Sequence, residues 1–207
     1  MKECIMGFTE KTTVSMNNKL EIRKLNIRQT AAIYKVSLKK EFPVNERRPL
    51  SMIVRGMIAG TYECLGAFYK GRIIGYAFFL KHGNDYLWDY LAVPKKYRCK
   101  GVGSQIIKAV KEYYKNADSV IGEVENPACV GPNEDKDIMA RRYNFYLRNG
   151  CVDTGVKAVT FGVNYIIIQI SDQKMDAEKV AKLYQMHYKV SLPRRLYEKN
   201  INVYRDN

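Results

Sequence analysis

The sequence predicts a mixed α/β (α+β) fold: a twisted, mostly antiparallel sheet with one central parallel pair, flanked by helices. Three observations predict it. Two β-rich runs, Tyr62–Tyr69 and residues 72–80, are joined by Lys70-Gly71, whose glycine suits a hairpin turn. A third run, residues 86–93, is rich in aromatic and apolar side chains and stops at Pro94, which cannot continue a central strand. A glycine-bearing turn then opens a helical period, and another strand-like run, residues 119–124, follows it. A strand–helix–strand crossover lays two strands parallel within an otherwise antiparallel sheet.

The other elements fall in order around that centre. Residues 1–18 are polar and without firm period, and are read as a flexible extension. Leu20 to Leu25 alternates apolar and charged residues as a half-buried strand does, and Ile27, Ala31, Tyr34 and Leu38 then recur at helical spacing over residues 26–40. Pro43 and Pro49 bracket a charged connection, and a second helix is expected over residues 50–58, ending near Gly60. Val102, Ile106, Val110 and Tyr113/Tyr114 mark the helix that opens at the glycine turn. Residues 126–137, with Pro127, Gly131 and Pro132, read as an irregular insert. Asp137 is the expected cap of a helix over residues 138–149, with Gly150 as its stop. Residues 156–163 and 165–170 make a last β pair. The tail carries Val180, Leu183, Tyr184 and His187 at helical spacing and ends in a basic, tyrosine-bearing stretch, residues 192–204. The expected organisation is an extension (1–18), one domain (19–170), and a helical, basic tail (171–207) packed on the domain or extending it.

With 207 residues and 46% hydrophobic composition the chain can bury a substantial single core. Thirty-five Lys and Arg against 21 Asp and Glu give a net charge of +14, which favours anionic ligands. Five cysteines, an odd number with no C-x-x-C spacing, argue for free thiols in a reducing compartment. Residues 1–20 lack the apolar block of a signal peptide, and the longest apolar-leaning stretch, residues 159–170, is too short to span a bilayer. A cytoplasmic protein is expected. His82 and His187 stand far apart with no acidic or cysteine cluster at ligand spacing, so no metal site is expected.

The glycine turn is an anion cradle in outline. In Tyr97-Arg98-Cys99-Lys100-Gly101-Val102-Gly103-Ser104 the glycines stand at a strand-to-helix junction, where amide hydrogens and the helix dipole favour a phosphate. Between Lys95 and Lys111 there are six basic residues and no acidic one. The dinucleotide fingerprint would need a glycine where Ile106 stands, and the lysine-serine/threonine pair of the P-loop is missing. The remaining pattern, R/Q-x-x-G-x-G/A over Arg98 to Gly103, resembles that of the GNAT superfamily of N-acetyltransferases. A second stretch, Arg142 to Cys151, resembles the same family's F-Y-x-x-x-G-F signature, and the two lie in the family's order about 40 residues apart.

That resemblance, over roughly residues 19–170, implies a GNAT fold and transfer of an acetyl group from acetyl-CoA to an amine, directly in a ternary complex. It implies that Arg98, Cys99, Lys100, Gly101, Val102, Gly103 and Ser104 wrap the pyrophosphate. The main chain of Leu91, Ala92 and Val93 is implied to hold the pantetheine and polarise the acetyl carbonyl. Tyr146 is implied as the acid that protonates the leaving thiolate, and Glu123 as the base, with Glu125 or a water chain as alternatives. Cys151 stands where the family has phenylalanine, and Met139 where many members have a cofactor-contacting asparagine. Cys99 is read as a permissive loop position. The expected partners are acetyl-CoA and a small amine, no membrane and no nucleic acid, with a homodimer left open. The acids of the acceptor-side segments, Glu41, Glu46, Glu134 and Asp135, favour a cationic acceptor. The rival readings are a nucleic-acid-binding protein using the tail's Arg194, Arg195, Lys199, Arg205, Tyr197 and Tyr204, and a CoA-binding fold without chemistry.

Overall fold

The computed structural model describes residues 20–131, 135–170 and 174–205; the extension expected at 1–18 lies outside them, as do Pro132 and Glu134. Among the described residues eight strands form one sheet: β1 (Glu21–Lys24), β2 (Tyr62–Tyr69), β3 (Arg72–His82), β4 (Asp85–Ala92), β5 (Ser119–Glu125), β6 (Cys151–Thr160), β7 (Val163–Ile170) and β8 (Ile201–Arg205). Their spatial order is β1-β2-β3-β4-β5-β7-β6-β8, and every neighbouring pair is antiparallel except the central β4–β5. The expected mixed sheet with one parallel pair is therefore the observed one.

The described residues also form seven α-helical segments: α1 (Ile27–Ile33), α2 (Lys39–Glu41), α3 (Leu50–Ala59), α4 (Val102–Tyr113), α5 (Lys136–Arg148), α6 (Ala177–Ser191) and α7 (Arg194–Asn200). The helix expected over 26–40 begins with a capping box between Asn26 and Gln29, but Tyr34–Leu38 winds as a π-helix between α1 and α2. Asp135 caps α5, accepting bonds from the amides of Asp137 and Ile138 at 3.0 and 3.1 Å; the cap thus lies two residues before the expected Asp137. Strand β6 starts at Cys151, five residues earlier than its pattern suggests. A bulge between Asp153 and Val156, with Gly155 at φ +78°, breaks the alternation there.

Two cores result. One face of the sheet buries Leu38, Ile53, Phe78, Ile121, Val180 and Tyr184 beneath α1, α3 and α6. The other buries Phe79, Trp88, Ile106, Val110 and Val124 beneath α4 and α5. The tail completes the first face: Tyr184 is fully buried, and β8 pairs with β6 from Val156↔Arg205 to Thr160↔Ile201.

Candidate active site

The two central strands pair only from Asp85↔Ser119 to Trp88↔Gly122. Beyond that rung β4 stays with β3 as far as Ala92, and β5 stays with β7 as far as Glu125, so a fork opens between them. The last rung is tight: a Cβ on Gly122 would lie 3.2 Å from that of Trp88. The fork opens where β4 bulges, since Phe78 faces Tyr90, Phe79 faces Trp88, and Asp89 is the extra residue. Past the bulge, the β5-facing edge of Leu91 and Ala92 has no strand partner, and Val93 follows at the strand's end.

The cradle lies at the end of β4. Pro94 stops the strand, Lys95–Tyr97 makes one 3-10 turn, and the chain reaches α4 through Cys99 at φ +58° and Gly101 at φ +73°. No side chain caps α4, so the amides of Val102, Gly103 and Ser104 are open to an anion. A Cβ on Gly101 would meet nothing within 4 Å, which leaves its backbone approachable. Gly103 differs: a Cβ there would lie 2.9 Å from Phe145 of α5, so its missing side chain admits a helix rather than a ligand. Arg98 also turns inward. Its Nε donates to the Val93 carbonyl at 2.8 Å and its Nη2 pairs with Glu41, tying the cradle loop to the end of β4 and to α2. Lys95, Lys96 and Lys100 remain exposed around the loop. An uncapped helix start, an open left-handed glycine and exposed lysines suit the pyrophosphate of CoA.

Across the fork stands Glu123, half-buried on β5. The hydroxyls of Tyr184 and Tyr188, one turn apart on α6, both donate to its Oε1, the latter at 2.7 Å. Burial pushes this carboxyl from 4.5 up to about 7, against the two phenol hydrogen bonds that favour its charged form. Beside it lies a second buried charge system. Arg48 Nε donates to Asp89 Oδ2 at 3.1 Å with both side chains under a tenth exposed, and Tyr62 donates to the same oxygen. The ion pair raises the Arg48 pKa against the desolvation that would lower it. The Tyr90 hydroxyl accepts from the Arg48 amide at 2.6 Å and donates to the Glu46 carbonyl at 2.9 Å, fixing the segment before α3 over the fork.

Glu125, the alternative base, is occupied by Arg142 of α5. Tyr146 is half-buried, its ring edge-on to Trp88 at 5.9 Å, which sets it beside the last β4–β5 rung. Burial raises its phenol above the ordinary 10, and its hydroxyl has no hydrogen-bond partner among the described residues. Cys151 and Met139, the two departures from the family pattern, are both buried. Of the four acids that suggested a cationic acceptor, Glu41 is paired with Arg98, Asp135 caps α5, and Glu134 lies outside the described residues. His187 is buried with both ring nitrogens unpartnered among the described residues, and burial lowers its pKa to about 4. No group of three or more His, Cys, Asp or Glu among the described residues is placed to hold a metal, and no helix there is long and apolar enough to cross a membrane.

The sequence reading missed Arg48, Asp89, Tyr184 and Tyr188. A carboxylate inside the aromatic run 86–93 and two tyrosines four apart in the tail were the available signals.

A forked sheet with a helix N-terminus at the end of one prong is the GNAT fold, and solved structures agree. A protein from Bacteroides thetaiotaomicron described as belonging to the GNAT family superposes with a TM-score of 0.64 at 20% identity, over 83% of this chain and 98% of that one. The ribosomal-protein-S18-alanine N-acetyltransferase of Escherichia coli gives 0.51 at 16%, over 73% and 94%. The PaiA N-acetyltransferase of Thermoplasma acidophilum, solved in complex with coenzyme A, gives 0.50 at 18%, over 74% and 99%. No curated protein matches by sequence. Residues 60–150, which hold the fork, the cradle and α5, match the family model of the acetyltransferase (GNAT) domain. The chain has the GNAT fold and, over residues 60–150, resembles the acetyltransferases that share it.

Proposed function

We propose that the protein transfers the acetyl group of acetyl-CoA directly to the primary amine of a small, cationic acceptor. The observation that carries this reading is the fork itself, with an open anion cradle at the end of β4 and, on β5, a half-buried carboxyl held by two phenols. Acetyl-CoA supplies the acetyl thioester; the chain does the rest. The amides of the first turn of α4, with Cys99, Lys100 and Gly101 of the loop, hold the pyrophosphate, while Arg98 braces that loop. The β5-facing edge of Leu91 and Ala92, with Val93 after it, lines the pantetheine path, and an amide hydrogen aimed at the acetyl carbonyl would contribute about 3 kcal/mol to the transition state.

An ammonium group cannot attack, so the acceptor must first give up a proton. Glu123, poised near pH 7, is the group to take it, because a base works best with a pKa near the working pH. Glu125 serves instead to hold Arg142. Tyr146 stays protonated at neutral pH and delivers its proton to the departing sulfur. The acceptor class follows from charge at the fork. Glu46, Glu123 and Glu125 all act on Tyr165, and Glu46 and Glu125 both act on Arg142. Three carboxylates that converge on Tyr165 favour a positively charged amine.

The test is calorimetric titration with acetyl-CoA, with desulfo-CoA and ATP as controls, followed by an amine panel. Saturable binding that requires the pantetheine arm is expected. Equal binding of ATP, or none of acetyl-CoA, would sink the reading.

A further inference from the structure

We infer that the tail helix α6 belongs to the acetyl-transfer site: Tyr184 and Tyr188 are positioning residues that grip one oxygen of Glu123 and leave the other for the acceptor's proton. The inference rests on the reading of Glu123 as the base.

The geometry is asymmetric. Both phenols donate to Oε1, whereas Oε2 accepts from no described residue. A carboxylate has about four acceptor sites, and one serving only to satisfy buried donors gains most by spreading them over both oxygens. Here the donors are stacked on one. The grip is itself held: Thr160 of β6 lies 2.6 Å from the Tyr184 hydroxyl, which already donates to Glu123 and so accepts from the threonine. The result is a relay, Thr160 to Tyr184 to Glu123, in which every hydroxyl points its hydrogen toward the carboxylate. The Tyr184 and Tyr188 rings brace each other at 5.1 Å, and the Arg48 guanidinium lies 5.8 Å from the Tyr188 ring. The base is thereby linked to the buried Arg48–Asp89 pair that anchors the segment over the acceptor side.

Helix α6 lies beyond residues 60–150, so nothing in the stretch that matches the family model supplies these two donors. The titratable and charged groups that face Glu123 are Tyr184 and Tyr188 from α6, Asp89 and Tyr90 from β4, Tyr165 from β7, and Arg48 from the segment before α3. Asp89 and Arg48 act in opposite senses as a pair, which leaves the phenols as the tunable influence.

The experiment is a carbon-13 NMR titration of full-length protein labelled at the glutamate side-chain carboxyls, with Glu123→Gln assigning the signal. Tyr188→Phe and Tyr184→Phe each remove a hydroxyl and keep the ring. Losing a donor to the charged form should move the Glu123 midpoint up by about one pH unit in either variant. Thr160→Val, which loosens only Tyr184, should move it the same way by less. With spermidine as the probe amine, the acid limb of kcat/KM should rise by the same amount, and Tyr188→Phe should add no loss in a Glu123→Gln background. A Glu123 midpoint unmoved in both tyrosine variants, or a Tyr188→Phe loss that persists undiminished alongside Glu123→Gln, would overturn the inference. The carboxyl titration needs no substrate, whereas calorimetry with acetyl-CoA reads the underlying function, so failure of one is distinguishable from failure of the other.

Discussion

On the β4 side of the fork the groups proposed to face the ligand are main-chain amides and Gly101, all within one stretch, residues 91–104. On the β5 side the proposed working group, Glu123, is a side chain whose surroundings come from residues 48, 89, 160, 184 and 188. The first kind of site needs only the right local backbone, so a short motif specifies it, and many side chains around it are free to vary. The second needs a folded core before it exists at all. Substitutions on the β5 side should therefore disturb chemistry and stability strongly, and those on the β4 side mostly binding.

The largest effect is expected from Glu123→Gln. Removing the base should lower kcat by about 10²–10⁴-fold with little change in acetyl-CoA affinity. The same variant has a stability signature. With its pKa raised from 4.5 to about 7, Glu123 contributes most to the fold below pH 4.5 and loses that contribution as pH rises through 7. Glu123→Gln should therefore melt higher than the native chain at pH 8, and an inactive variant that also melts lower there would assign Glu123 to structure alone. Next comes Asp89→Ala, which strands the Arg48 guanidinium in a dry site and deprives Tyr62 of its acceptor. Loss of about 3–5 kcal/mol in urea unfolding is expected. A change below 1 kcal/mol would mean that water reaches the bulge and the pair is not truly buried.

How far the sequence could be read follows the same division. Periodicity over residues 62–124 and the two motifs predict the parallel pair, the cradle and the helix carrying Tyr146, because each is encoded within about ten residues of itself. The tail was different. Helical spacing at Val180 and Tyr184 was plain, yet nothing local says which face a helix buries or that Tyr188 reaches β5, 65 residues away. Strand β8 escaped because five residues, Ile201 to Arg205, make too short a pattern to read, and its partner β6 lies some 40 positions upstream. The cap of α5 was displaced for a simpler reason. Asp135 and Asp137 are both eligible by type, and only the side-chain bonds from Asp135 distinguish them.

Tyr146→Phe sharpens the contrast at the boundary between the two sides. The phenol sits at the last shared rung and should matter to chemistry without affecting binding, with kcat down about 10²-fold and acetyl-CoA affinity unchanged. Because burial holds its pKa above 10, no alkaline limb assignable to Tyr146 is expected below that pH. Full retained activity would give the proton to solvent.

The smallest effect is the most discriminating, since it asks whether the cradle is as local as its motif. Both glycines look alike in sequence, but Gly101 faces open space and Gly103 faces Phe145 at 2.9 Å. Alanine at 103 puts a Cβ 2.9 Å from the end of the Phe145 ring, so that ring must shift, and the cost offsets the helix propensity gained, about 1 kcal/mol at most; Gly103→Ala should change stability little. Valine is too large for that gap and should cost about 1–3 kcal/mol through overpacking between α4 and α5. Adding Phe145→Ala should return part of that loss, because the clash and its relief share one contact. Melting temperatures of the three variants, read beside acetyl-CoA affinity, decide the matter. If Gly103→Val weakens binding while melting like the native chain, the glycine faces the ligand and the β4 side is local throughout. If melting falls first and Phe145→Ala restores it, the second motif supports the first, and the cradle depends on tertiary packing as the base does.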